Sequence, residues 1–82
     1  MYTFQVLFFS VLRQHVKADC ITVELESPAT GATLLDYLER EYPVIGPYRS
    51  VVRLAVNEEY VPESIVLSDG DEVALITPVS GG

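Results

Sequence analysis

Few side chains in this chain of 82 residues could do chemistry, and their types and spacing limit what that chemistry can be. Cys20 is the only cysteine, which excludes an internal disulfide, a four-cysteine zinc site and an iron–sulfur cluster. A lone thiol could serve as a nucleophile or redox group, but a free cysteine at a strand start is more often a small, buried, inert residue. His15 is the only histidine, so a histidine-based metal site would need carboxylates for all its other ligands. A surface or partly buried side chain is the plainer expectation for it. Asp69-Gly70-Asp71-Glu72 gathers three carboxylates but lacks the spacing of an EF-hand loop, and reads as a turn. The sequence points to no Ser/His/Asp set and no glycine-rich phosphate loop. What remains is Gly81-Gly82. At an average glycine usage of about 7%, two terminal glycines arise by chance in roughly 0.5% of chains. An enzyme that activates a C-terminal carboxylate must bring ATP to it and then admit a nucleophile. Glycine has no Cβ to obstruct either approach and adopts whatever φ and ψ a narrow channel imposes. On Gly-Gly alone, a working tail and a frayed one stand equally open.

Composition narrows the partners. Hydrophobic residues make up 49% of the chain and charged residues 21%, a balance that favours one globular domain over disorder. The longest apolar run, from Val6 to Leu12, is interrupted by Ser10. It is far short of the ~20 residues needed to span a bilayer and has no basic start like that of a secretory signal. A cytoplasmic protein with no membrane partner is expected. The net charge is −7 with only five Lys plus Arg, too few for the basic patch of a nucleic-acid binder. Such a balance suits solubility and attraction to basic protein surfaces.

The elements that must position the terminus follow from hydrophobic period. Residues 2–9 predict a strand with Phe4, Val6 and Phe8 on one face and Thr3 and Gln5 on the other. Leu7 and Phe9 add apolar groups to that second face, as in a strand that is central or has a partner on its outer side. Residues 11–16 predict a short helical turn, and Lys17-Ala18-Asp19 a turn into a second strand, residues 21–25, forming a hairpin. A helix is predicted over 33–42, with Thr33 as its cap and Asp36 three residues on. Leu34, Leu35, Leu38 and Tyr42 share one side of it, and Pro43 stops it. Residues 44–50 read as a connection. Strands are predicted at 53–57, 60–61 and 72–77, separated by turns at Asn57-Glu58-Glu59 and Ser68-Asp69-Gly70-Asp71. The order β-β-α-β-β-β predicts an α+β domain over 1–77, a mixed sheet of about five strands with one main helix on one face. It matches the ubiquitin-like β-grasp, in which the first and last strands lie side by side in the sheet centre. Residues 78–82 form a tail without apolar periodicity. If the helix covers the Phe4 face, Phe9 and Ile76 are left on the other.

Four segments carry a family resemblance. Val6-Leu7-Phe8-Phe9, Leu54-Ala55-Val56-Asn57, Leu67-Ser68-Asp69-Gly70-Asp71-Glu72-Val73-Ala74 and Pro78-Val79-Ser80-Gly81-Gly82 resemble the small, sulfur-carrying subunit of molybdopterin synthase, the MoaD family. The resemblance runs the whole chain, and the closing DGDEVA…PVSGG is its most specific part. It implies that Gly82, preceded by Gly81, is adenylated with ATP by an E1-like adenylyltransferase (MoeB-like) and converted to a thiocarboxylate. It implies a non-catalytic subunit with no bound cofactor in a cytoplasmic, heterotetrameric synthase, whose large subunit (MoaE-like) supplies the catalytic side chains. Two sulfurs, one per carrier, would go to a cyclic pyranopterin monophosphate. The resemblance places Phe9, Tyr60 and Ile76 at the contact with the large subunit and Pro78, Val79 and Ser80 in the tail that enters it. Thr77 departs from the commonest pattern, which often has a second proline before Pro78. Two alternatives remain: a sulfur carrier for thiamin or tRNA thiolation, and a β-grasp interaction module with no covalent chemistry.

Overall fold

Alternation along the first strand sets the architecture. In the computed structural model, which describes residues 1–77, β1 (Tyr2–Phe8) buries Phe4, Val6 and Phe8 on one face. A helix, α1 (Ser10–Val16), leads into β2 (Cys20–Leu25), which returns antiparallel with Val23 opposite Phe4 and Ile21 opposite Val6. There follow α2 (Gly31–Glu41), a 3-10 helix over Pro43–Tyr48, β3 (Arg53–Val56), β4 (Glu59–Val61) and β5 (Glu72–Ile76). The five strands form one sheet in the order β2-β1-β5-β3-β4. β1 and β5 are parallel and the other neighbours antiparallel. First and last strands therefore adjoin inside the sheet, as the β-grasp order predicts.

All of the main core lies on one side of that sheet. Leu34, Leu35 and Leu38 of α2 pack with Phe4, Val6, Phe8, Leu54, Val73 and Leu75, and Leu12 and Ile45 join the same cluster. Full burial of each such side chain stabilises the fold by roughly 1.5–3 kcal/mol. Among the described residues, no helix is long and apolar enough to cross a membrane.

Several elements differ from the sequence expectation. α2 starts earlier, at Gly31, because Thr30 and not Thr33 is its cap. Thr33 N–H donates to Thr30 Oγ1 at 3.2 Å and Thr30 N–H donates to Thr33 Oγ1 at 2.7 Å, a reciprocal capping box. Two further N–H groups of the first turn, on Gly31 and Ala32, donate to the carbonyls of Ile65 and Glu63. The orphan donors of the helix start are thus met by the loop after β4. Asp36 is no part of the box. It accepts from Arg49 at 2.9 Å, and the same guanidinium reaches Glu39 and Glu63 at 3.1 and 3.4 Å. These carboxylates, Asp36 first, raise the Arg49 pKa above its ordinary value against the lowering effect of burial. Arg49 so ties α2, its own segment and the loop after β4 together. The first helix is longer than one turn, ending at Lys17 in the left-handed region with its N–H donating to Arg13 O. The connection after α2 is a 3-10 helix because Ile45 turns into the core and draws the backbone down with it.

Two turns set the sheet's far end. Asn57 and Glu58 both have positive φ, 50° and 72°, as a two-residue hairpin requires. The Asn57 side chain accepts from Glu72 N–H and donates to Asp71, binding this hairpin to the start of β5. Gly70, at φ 87°, turns the chain beside Thr3.

The approach of α2 to the sheet is testable at Gly31. A Cβ there would lie 2.6 Å from Leu54 Cδ1 and 2.9 Å from the Glu63 carbonyl oxygen. Gly31→Ala should lower stability in a urea titration by about 1–3 kcal/mol, despite alanine's better helix propensity. An unchanged or raised midpoint would show that helix and loop can part without cost.

Candidate functional site

Strand register decides which side chains share the face that α2 leaves open. Leu7 pairs with Cys20 on β2 and Ala74 on β5; Ala74 pairs with Ala55 on β3, and Ala55 with Tyr60 on β4. One row thus crosses the whole sheet. Toward the carboxyl end of β5 the next row holds Ile76 opposite Arg53, with Phe9 just beyond β1. Toward the other end lie Thr22, Gln5 and Glu72.

The central part of this face is a depression of about 290 Å³. Leu7, Ala55 and Ala74 are its low ground, because two alanines stand between larger neighbours. Phe9, Tyr60 and Ile76 rise around them, and Glu58 and Glu72 border one side. Phe9 is 43% and Tyr60 65% exposed, large values for aromatic side chains in an apolar setting. Contiguous exposed apolar surface rimmed by polar groups is the mark of an interaction site. Phe9, Tyr60 and Ile76, the residues expected at a partner contact, are therefore brought together on one surface.

Pro78, Val79, Ser80, Gly81 and Gly82, the remaining expected site residues, lie outside the described residues. The chain reaches them from Thr77, itself buried, directly after Ile76. The root of the terminal segment and the apolar face thus adjoin.

Sequence reasoning missed Ala55, Ala74 and Glu72. For the alanines the signal was period two, since they alternate with buried Leu54, Val73 and Leu75. Cys20 departs from expectation: it starts a strand but is exposed. It shares the open face, where no helix covers it, and its Sγ lies 3.4 Å from Gln5 Oε1. His15 is exposed with Nε2 3.2 Å from the Tyr48 hydroxyl. The acidic turn is consumed by structure. Asp69 Oδ1 accepts from Thr3 N–H at 2.7 Å, and Asp71 Oδ2 accepts from Ser68 N–H at 2.8 Å. Among the described residues, no group of His, Cys, Asp and Glu is placed to hold a metal ion. Cys20, the candidate nucleophile, and His15, the candidate metal ligand, have separate partners. The described residues thus gather an apolar surface on the side of the sheet that α2 leaves open.

Comparison with known proteins gives the family and the fold. The ThiS family model matches residues 6–82. The molybdopterin synthase sulfur carrier subunit of Mycobacterium tuberculosis is 36% identical over 83 residues, covering 100% of both chains. Among solved structures, the SAMP1 protein of Haloferax volcanii superposes with a TM-score of 0.87 at 24% identity, covering 98% of this chain and 99% of that one. A subunit from the complex of subunits 1 and 2 of molybdopterin-converting factor from Helicobacter pylori superposes with a TM-score of 0.71 at 23% identity, covering 98% and 99%. The chain belongs to the ThiS family, has the ubiquitin-like β-grasp fold, and is similar over its full length to molybdopterin synthase sulfur carrier subunits.

Proposed function

We propose that the protein is the sulfur-carrying small subunit of a molybdopterin synthase, serving molybdenum cofactor biosynthesis. The observation that carries this reading is the apolar open face running up to Thr77, where the chain continues into Gly81-Gly82. The full-length relative in Mycobacterium tuberculosis bears the name of such a carrier, and the Helicobacter pylori neighbour comes from a complex of two subunits.

The chemistry belongs to the terminus. In an E1-like, MoeB-like adenylyltransferase, a carboxylate oxygen of Gly82 attacks the α-phosphorus of ATP and pyrophosphate leaves. A sulfur nucleophile then displaces AMP from the acyl carbon and leaves a thiocarboxylate. The carrier docks on a MoaE-like large subunit through Phe9, Tyr60 and Ile76. Its tail, Pro78 to Gly82, delivers sulfur to a cyclic pyranopterin monophosphate. The five residues beyond Thr77 span at most roughly 18 Å when extended. The partner's reaction centre therefore lies within that reach of the sheet's end, and the docking face sets the distance. Side chains that drive the acceptor chemistry belong to the large subunit.

Deleting Gly82 should leave thermal unfolding within about ±0.5 kcal/mol, as for a surface change. Conversion to the thiocarboxylate by the activating enzyme should fall to background. A deletion variant that still accepts sulfur at the normal rate contradicts the carrier reading.

The docking face is tested by charge. Phe9→Glu should yield a folded monomer that no longer associates with the purified large subunit in size-exclusion chromatography, since each apolar anchor contributes roughly 1.5–3 kcal/mol when fully buried. Unaltered association, or loss of the fold itself, would show that Phe9 does not serve the contact.

A further inference from the structure

We propose that Arg53 sets the orientation of the docked complex by pairing with a carboxylate of the large subunit beside the point where the tail enters. The inference rests on the carrier reading and adds to it a polarity that an apolar contact cannot supply.

The cations of this chain are few, and most are occupied. Of the five, Arg49 is held by three carboxylates, Arg13 lies 3.7 Å from Asp19, and Arg40 sits over the Tyr37 ring. Lys17 follows α1 in the β1–β2 connection, outside the five strands. Arg53 is exposed, and among the described residues its side chain makes no ion pair and no hydrogen bond. Register places it opposite Ile76, on the open face and at its tail end. There it lines, with Tyr60, Pro62 and Glu63, a second depression of about 360 Å³ that shares Tyr60 with the apolar one. No other Lys or Arg falls on the open-face positions of the five strands.

Glu63, which shares the second depression with Arg53, is held by Arg49, and the other acids of this face lie at its opposite end. Glu72 opens β5 and Glu24 pairs with Thr3 at the start of β1. Glu58 sits in the hairpin after β3, which runs antiparallel to β5 and so ends beside Glu72. Glu72 and Ile76 are four residues apart, about 13 Å at strand rise. That exceeds the screening length of about 8 Å at physiological ionic strength, so the two ends act on a partner separately.

The apolar belt between them attracts without direction. A partner could meet it either way round, and in the reversed pose the tail would point away from the reaction centre. Unlike charges at the two ends remove the ambiguity. In the productive pose Arg53 meets an anion and Glu58 and Glu72 meet cations; in the reversed pose like charges face each other and are repelled. The partner is thus a large subunit whose docking surface is apolar at its centre and acidic next to its tail channel.

The test is calorimetric titration of the purified large subunit with the wild-type chain, Arg53→Glu and Arg40→Glu at about 150 mM salt. Arg40 lies on α2, which covers the opposite face, and its substitution changes net charge equally. Arg53→Glu should weaken binding at least about tenfold, and Arg40→Glu less than about threefold. Equal weakening by the two would reduce the effect to net charge and overturn the inference, as would wild-type affinity in Arg53→Glu. If Arg53→Glu lowers the unfolding midpoint, Arg53→Gln decides: several-fold weaker binding supports the pairing and unchanged binding overturns it. A wild-type chain that fails to bind the large subunit contradicts the carrier reading itself, and the inference falls with it.

Discussion

Parallel pairing of β1 with β5 joins the two ends of the described chain in the interior of the sheet, with Gln5 opposite Glu72 and Phe8 opposite Leu75. Parallel neighbours cannot be linked by a tight turn, so the chain between them must travel out and back. That excursion contains α2, the 3-10 helix and the β3–β4 hairpin. It returns through a turn that Asp69 pins to the backbone of Thr3. Because β5 is flanked on both sides, its last residues are held by neighbours on two edges. The chain therefore passes Thr77 from the middle of a rigid platform instead of a fraying edge.

The same pairing leaves one face unsatisfied. Interior strands present side chains to both sides, and β1 and β5 carry apolar groups on each. One main helix covers only one side. Leu34, Leu35 and Leu38 close over Phe4, Val6, Phe8, Val73 and Leu75, and nothing in the described residues closes over Leu7, Ala74 and Ile76 to the same degree. Alanine at positions 55 and 74 turns the uncovered side into a hollow between Phe9, Tyr60 and Ile76. Large aromatic rings held half in water are a cost to a solitary domain, and that cost is offset when a partner buries them. The net charge of −7 helps keep such a surface soluble meanwhile.

How far the sequence alone reveals this depends on which interaction fixes each element. β1 and β5 are legible because alternation is local, and the turn at Ser68–Asp71 because Asp and Gly carry their own turn chemistry. The open face is legible in part: Leu7 and Phe9 interrupt a period-two pattern, and that interruption is the mark of a second apolar face. The start of α2 is misplaced by sequence because Thr30 and Thr33 are both good caps, and the choice between them is made by distant carbonyls of Glu63 and Ile65. Cys20 is exposed contrary to expectation because burial at a strand start depends on which face the helix chooses. Arg49 holds Asp36, Glu39 and Glu63 through contacts far apart along the chain, and no local pattern announces them.

The central proposal is that the helix-free face is the surface by which this chain docks on a molybdopterin synthase large subunit. Methyl NMR of the carrier during titration with the purified large subunit tests it most directly. The account predicts that the methyl signals of Leu7, Ala55, Ala74 and Ile76 shift or broaden first and most. Ala32 on α2 and Val44 on the 3-10 helix, which lie away from that face, should stay near their free positions. Perturbation centred on Ala32 and Val44, with the Leu7 to Ile76 set unmoved, would contradict it.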